Sequence, residues 1–176
     1  MLKQKNLFIP ATVIALMLLA GCSSDENAKN TTSAEEIATL LGTDSNNNGV
    51  RDDVEKKIYE KYEKPLHQAL LMEEAKFYQE TMLRPVSEAK ETVKLSIRTG
   101  NCQLYLMDID KDIESDNWRE TQEYIKNVAI NNPQRVRKYL DYNLALSGGS
   151  YGSSPSDWNR DACSDEVVKS LEAMGL

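Results

Sequence analysis

The sequence predicts an all-α protein: a single small domain of about six to eight helices with one disulfide. Apolar residues recur every three or four positions through most of the chain, as they do on the buried face of a helix. No strand-rich run, heptad series or internal repeat is present in the sequence. A length of 176 residues, 40% hydrophobic and 28% charged, suits one globular domain.

The first 21 residues have the pattern of a secretory signal peptide. Lys3 and Lys5 precede an apolar stretch over residues 7–20. At about 14 residues this stretch is too short for a permanent membrane span, but it suits the apolar region of a signal peptide. We therefore expect residues 1–21 to be removed on export.

The four residues that end at Cys22, Leu-Ala-Gly-Cys, resemble the lipobox of bacterial lipoproteins. The resemblance implies cleavage before Cys22, transfer of diacylglycerol to its thiol and an anchor of acyl chains such as palmitate. Ser23, rather than Asp, implies sorting to the outer membrane if the cell is Gram-negative. The alternative is an ordinary signal peptide with a chance cysteine.

The segment after the lipobox is too polar to fold. Residues 22–32 are expected to be the lipidated cysteine and a flexible tether, because SSDENAKNTT has almost no apolar surface to bury. The helical domain is expected over residues 33–176. Two or more acyl chains would anchor it stably, whereas one chain would not.

The charge of the chain argues against nucleic acid as a partner. The formal charge is -7, and loss of Lys3 and Lys5 with the signal peptide makes it about -9. A surface this acidic repels phosphate backbones.

Four helices are predicted before residue 100. Ser33 and Glu36 have capping-box spacing for a first helix, which Gly42 ends. A second helix begins near Asp53 and ends or kinks at Pro65. A third covers residues 66–83, and a fourth runs from Pro85 to about residue 98, where Thr-Gly-Asn is expected to break the chain.

The second half is also predicted to be helical. Residues 104–113 fit a helix or a strand by pattern, and their helical neighbours favour a helix. Further helices are expected over 117–130, from Pro133 through Leu144, and after Ser164. The Gly- and Ser-rich residues 147–156 are expected to form a surface loop.

Cys102 and Cys163 remain after lipidation of Cys22 and are expected to form a disulfide, because an exported protein meets an oxidising compartment. The bond would close a loop of about 60 residues and contribute roughly 3 to 4 kcal/mol in the chain-entropy description.

Residues 44–55, DSNNNGVRDDVE, have the spacing of a twelve-residue EF-hand calcium loop. Calcium prefers six to eight oxygen ligands, and a short loop supplies them by curling around the ion. Gly49 permits the bend, and Glu55 would supply two oxygens from the start of the next helix. The predicted ligands are Asp44, Asn46, Asn48, Val50 through its carbonyl, Asp52 directly or through water, and Glu55.

This loop resembles the extracytoplasmic calcium loops of thrombospondin type 3 repeats and dockerins. The resemblance covers about 30 residues and implies a bound Ca²⁺. Arg51 stands at position eight, where paired EF-hands carry an aliphatic residue, so pairing with a second EF-hand is not expected. Two Asn ligands lower the negative charge, which predicts a weak dissociation constant of about 10⁻⁴ to 10⁻³ M.

A metal-free interpretation of the loop stays open. Asn48 and Gly49 suit a turn, and Asp52 with Glu55 has capping-box spacing for the following helix. A second acidic run, residues 108–113, has Ile113 where a calcium loop needs glycine, which favours a solvated helix end.

Enzyme motifs are scarce, so we do not expect an enzyme. The single histidine, His67, is interpreted as a surface or helix-start residue, and no nucleophile motif or phosphate-binding loop is present. The rest of the chain resembles small uncharacterised bacterial lipoproteins, which implies no particular function.

Three functions remain. The first is an envelope lipoprotein that forms a calcium-stabilised structural or binding module for another envelope protein. The second is an inhibitor or immunity-type lipoprotein that neutralises a secreted toxin or hydrolase. The third is an envelope hydrolase that works through carboxylates.

Overall fold

The computed structural model describes residues 34–176. The predicted signal peptide, Cys22, the tether and Ser33 lie outside the described residues. The described residues belong to one compact unit with its own hydrophobic core, which is the property of a domain that folds by itself.

The prediction of an all-α domain is confirmed. Between residues 34 and 176 there are eight α-helices, three short 3₁₀ turns and no strand. The helices are α1 (Ala34–Leu41), α2 (Asp52–Lys61), α3 (Pro65–Leu83), α4 (Ala89–Met107), α5 (Lys111–Glu114), α6 (Asp116–Ala129), α7 (Pro133–Ala145) and α8 (Asp165–Ala173). The 3₁₀ turns are Val86–Glu88, Pro155–Asp157 and Arg160–Ala162.

Helix α3 is the centre of the domain. It packs against α1, α2, α4, α6, α7 and α8, and twelve of its 19 residues are buried. Pro65 does not kink the preceding helix. It occupies the first turn of α3, where its missing N–H costs nothing, and α2 has already ended at Lys61.

Helix α4 corrects one sequence prediction. Thr99-Gly100-Asn101 was expected to break the chain, but α4 continues through these residues to Met107. Thr99, Asn101 and Cys102 are buried in this stretch. Their burial offsets the cost of a mid-helix glycine, which is only about 1 kcal/mol relative to alanine. Residues 104–113 are consequently not one helix but the end of α4, a bend and the short α5.

Helix α7 carries an exposed apolar stripe. Asn132 caps its start by accepting a hydrogen bond from the Arg135 N–H. Val136, Leu140 and Leu144 are 42%, 60% and 73% exposed, and their spacing of four residues places them on one face.

The predicted disulfide is present. Cys102 in α4 bonds to Cys163, which directly precedes the cap of α8. Arg98 strengthens the same junction by donating hydrogen bonds to the carbonyl oxygens of Ala162 and Cys163, at 3.1 and 3.0 Å. The last helix is therefore joined to α4 by covalent and polar contacts.

Candidate functional site

Residues 44–55 form a closed loop between α1 and α2. The Asp52 N–H donates to the Thr43 carbonyl at 2.9 Å and closes the base of the loop. The two carboxylate oxygens of Asp44 accept hydrogen bonds from the N–H groups of Asn48 and Gly49, at 3.1 and 2.9 Å. Gly49 has a φ of 85°, a left-handed conformation that glycine adopts without strain, so the chain can turn sharply around Asp44.

Two asparagine side chains point back into the loop. The Asn46 side-chain carbonyl accepts a hydrogen bond from the Asn48 N–H at 3.2 Å, and the Asn48 side-chain carbonyl accepts one from the Val50 N–H at 2.9 Å. Their amide nitrogens lie 3.2 and 3.0 Å from oxygens of Glu55. Three of the predicted ligand positions, Asn46, Asn48 and Glu55, are thus in mutual contact.

Asp52 makes a different set of contacts. Its carboxylate accepts hydrogen bonds from the Ser45 N–H at 2.9 Å and the Ser45 hydroxyl at 2.6 Å. These bonds hold the pKa of Asp52 below its usual value. The capping-box interpretation is wrong, because Arg51 is the N-cap of α2 and no side chain caps that helix start.

The donor set of this loop suits Ca²⁺. A carbonyl or carboxylate oxygen has two lone pairs, so an oxygen that accepts a backbone N–H can also face a cation. Asp44, Asn46 and Asn48 offer such oxygens, Glu55 offers two more, and the Asp52 carboxylate lies in the same loop, where it accepts hydrogen bonds from Ser45. These residues would hold the ion by hard oxygen ligands alone.

Arg51 connects the loop to the rest of the domain. Its side chain is only 2% exposed, and it donates hydrogen bonds to the carbonyl oxygens of Ala129 and Val128 at 2.8 and 3.2 Å. These carbonyls end α6, where the helix dipole favours a positive charge. Position eight of the loop therefore contacts α6 of the same domain. An arginine at this position, in place of the aliphatic residue of paired EF-hands, was visible in the sequence. The sequence did not show that Arg51 binds the end of α6.

A second buried arginine lies beside the first. Arg135 of α7 is 6% exposed and donates to the Leu40 carbonyl at 2.8 Å, at the end of α1. Burial and the neighbouring charge of Arg51 lower the pKa of Arg135. Gln79 of α3 donates to the Leu41 carbonyl at 3.0 Å, so the end of α1 is held by both α7 and α3.

His67 does not lie on the surface, which corrects half of the sequence interpretation. It is at the start of α3, as expected, but it is 9% exposed, and its Nε2 lies 2.9 Å from the Asp110 carboxylate. Burial alone would raise the pKa of Asp110, but the hydrogen bonds from the Asp112 N–H and His67 hold it below its usual value.

His67 and Asp110 form a cluster with Asp112. These three residues could hold a metal ion, because their ligand atoms lie within 4.8 Å of one another. The Lys64 ammonium already occupies this space, 3.4 Å from Asp110 and 2.5 Å from Asp112. Asp110 also caps α5 by accepting the Asp112 N–H at 2.9 Å. These contacts favour an ion-pair cluster that joins α3 to α5.

No protein-family model matches this chain, and comparison with curated proteins and with solved structures gives no match. Across residues 34–176, no helix combines the length and the apolar character needed to cross a membrane.

Proposed function

We propose that residues 44–55 bind Ca²⁺ and that the protein is a lipid-anchored envelope module whose helical domain binds another envelope protein. The observation that carries the calcium part is the contact of Asn46, Asn48 and Glu55 within a loop closed around Asp44. The sequence spacing and this geometry support the same ion.

The role of the ion in this proposal is structural. The carboxylates of Asp44 and Glu55 accept hydrogen bonds from uncharged N–H donors of the loop, which leave both negative charges in place. Bound Ca²⁺ would offset their repulsion and fix the direction in which α2 leaves the loop. Because Arg51 ties the loop to α6, this stabilisation would extend to the core of the domain.

The exposed stripe on α7 supports the binding part of the proposal. Val136, Leu140 and Leu144 form an apolar row, and Arg137 beside it is also exposed. An exposed apolar row with a polar border is typical of a surface that binds another protein. Lipidation at Cys22 would keep this surface near other envelope proteins.

The calcium proposal is tested by thermal unfolding of the soluble domain, residues 33–176, in chelator and in about 5 mM Ca²⁺. A ligand that binds only the folded state stabilises it by RT ln(1 + [L]/Kd), so a Kd of ~0.1 mM gives about 2.3 kcal/mol and a rise of several degrees. Glu55→Gln removes the bidentate ligand and should abolish the rise.

Glu63→Gln is the matched control, because Glu63 is an exposed acid just beyond α2 that lies outside the loop. It should keep the full calcium response. An equal rise in wild type and Glu55→Gln, or no rise in wild type, would refute the calcium site.

The anchor is tested separately on the full chain in a Gram-negative host, with an alkyne analogue of palmitate as the label. Cys22→Ser should lose the label and its membrane association. Cys163→Ser should keep both, since that cysteine forms the disulfide. Labelling of Cys22→Ser would contradict the proposed lipid site.

A further inference from the structure

A small cavity lies between α3, α4 and α6, away from the calcium loop. Its volume is about 130 Å³. Glu74, Phe77 and Tyr78 line it from α3, Thr99 and Gly100 from α4, and Gln122 from α6.

Gly100 leaves part of this space open. It lies inside α4 without a positive φ, and a Cβ built on it would meet no atom within 4 Å. Neither backbone conformation nor packing therefore requires glycine here, although glycine weakens a helix by about 1 kcal/mol relative to alanine. The missing side chain leaves free volume at the wall of the cavity.

Glu74 brings a carboxyl group to the same space. Its side chain is 9% exposed, and its Oε1 accepts a hydrogen bond from the Tyr78 hydroxyl at 3.2 Å. Within residues 34–176, no lysine or arginine forms an ion pair with it. Burial raises the pKa of this carboxyl to about 7, although bonds from Tyr78 and Gln122 and the charge of Lys126 oppose the rise.

Two aromatic rings complete the wall. Phe77 and Tyr78 have ring centroids 5.0 Å apart, and both residues line the cavity. The face of an aromatic ring attracts cations, and a buried carboxylate attracts them more strongly. The oxygens of Thr99 and Gln122 can accept further hydrogen bonds from a donor in the cavity.

We propose that this cavity is a binding site for a small organic ammonium group, either a free amine or the amine end of a longer molecule. The cavity holds only a few non-hydrogen atoms, because one water occupies about 30 Å³. Glu74 excludes anions by charge. A bare metal ion is disfavoured because Glu74 is the one carboxylate that lines the cavity, whereas metal ions require several charged or strongly polar ligands.

The test is a titration of the ¹⁵N-labelled domain, residues 33–176, with ethylammonium chloride at about pH 8 and constant ionic strength, followed by two-dimensional NMR. Ethanol, which has the same number of heavy atoms and no charge, is the matched ligand. We expect saturable shifts of the Gly100 amide and the Gln122 side-chain amide with ethylammonium and none with ethanol.

Two variants locate the site. Glu74→Gln removes the charge, and Gly100→Val fills the cavity, so each should weaken binding at least tenfold. Glu91→Gln changes an exposed acid of α4 and should leave binding unchanged. If Gly100→Val does not unfold cooperatively, Gly100→Ala replaces it and should weaken binding by a smaller factor.

Three results would overturn the proposal: no saturation at Gly100 with ethylammonium, equal shifts with ethanol, or unchanged affinity in Glu74→Gln. The last of these would assign any binding to the general acidity of the surface.

Discussion

The buried guanidinium of Arg51 forms two hydrogen bonds with the exposed carboxylate of Asp53, at 2.8 and 3.1 Å. Burial alone would raise the pKa of Asp53, but its bonds with Arg51 and the arginine charge hold it below its usual value. The same guanidinium donates to the carbonyls that end α6. One side chain therefore joins the start of α2 to the end of α6.

Replacing Arg51 should destabilise the domain more than replacing an ordinary surface arginine. Arg51→Ala leaves the carbonyls of Val128 and Ala129 without their donor, which should cost about 3 kcal/mol. Urea unfolding in chelator measures this loss without a contribution from calcium. Arg137→Ala, on the exposed face of α7, should change the free energy of unfolding by less than about 0.5 kcal/mol. Similar losses for both variants would contradict the structural role of Arg51.

Gly42 should not tolerate a side chain. Its φ is 71°, and a Cβ would lie 2.3 Å from Cδ of the buried Arg51. Gly148 offers a matched control, since its φ is 81° and a Cβ there would meet nothing within 4 Å. Gly148→Ala should cost about 1 kcal/mol through backbone strain alone, and Gly42→Ala should cost clearly more. Equal urea midpoints for Gly42→Ala and Gly148→Ala would show that the Arg51 side chain moves aside without cost.

Glu74 should make the domain less stable as the pH rises. Its pKa is about 7 in the fold against 4.5 for the ordinary carboxyl, so the folded state binds this proton more tightly than the unfolded state. Its effect is absent below about pH 4.5, and the cost of ionising it in the folded state grows between about pH 4.5 and 7 and then levels off, at an order of 3 kcal/mol.

Comparison of wild type with Glu74→Gln between pH 5 and 8 isolates this contribution from the other acids. As the pH rises, the free energy of unfolding of Glu74→Gln should increase relative to that of wild type. A constant difference across this range would contradict the burial of Glu74 as the cause of its raised pKa.

Reduction of the disulfide should weaken the domain without abolishing its fold. Cys102 and Cys163 are separated by 61 residues, and cross-links of this length contribute roughly 3 to 4 kcal/mol. We expect the double variant Cys102→Ala/Cys163→Ala to melt about 10 °C lower and to be insensitive to reductant. Arg98 still joins the two segments in this variant. Loss of all helical signal in the double variant would show that the hydrogen bonds of Arg98 do not maintain the fold without the disulfide.

Much of the fold follows from local pattern. The start of α7 was predicted from Pro133 and that of α8 from Ser164. In the structure Asn132 and Ser164 accept the capping hydrogen bonds of these helices. The predicted helix break at Gly100 was wrong. The cost of glycine in a helix, about 1 kcal/mol relative to alanine, is small compared with the stabilisation from burial of its neighbours. The loop at residues 44–55 could be predicted from the sequence because its hydrogen bonds join residues at most nine positions apart.

The sequence by itself determined the helical periods, the register of the candidate calcium loop and the pairing of Cys102 with Cys163. Only the tertiary structure decided which polar side chains are buried. Arg51 meets Ala129 across 78 residues, and His67 meets Asp110 across 43. Such contacts depend on how the helices pack against α3, and no local preference along the chain encodes that arrangement. The burial of Glu74 and the exposure of Leu144 have the same origin, because each is set by which neighbouring helix covers that face.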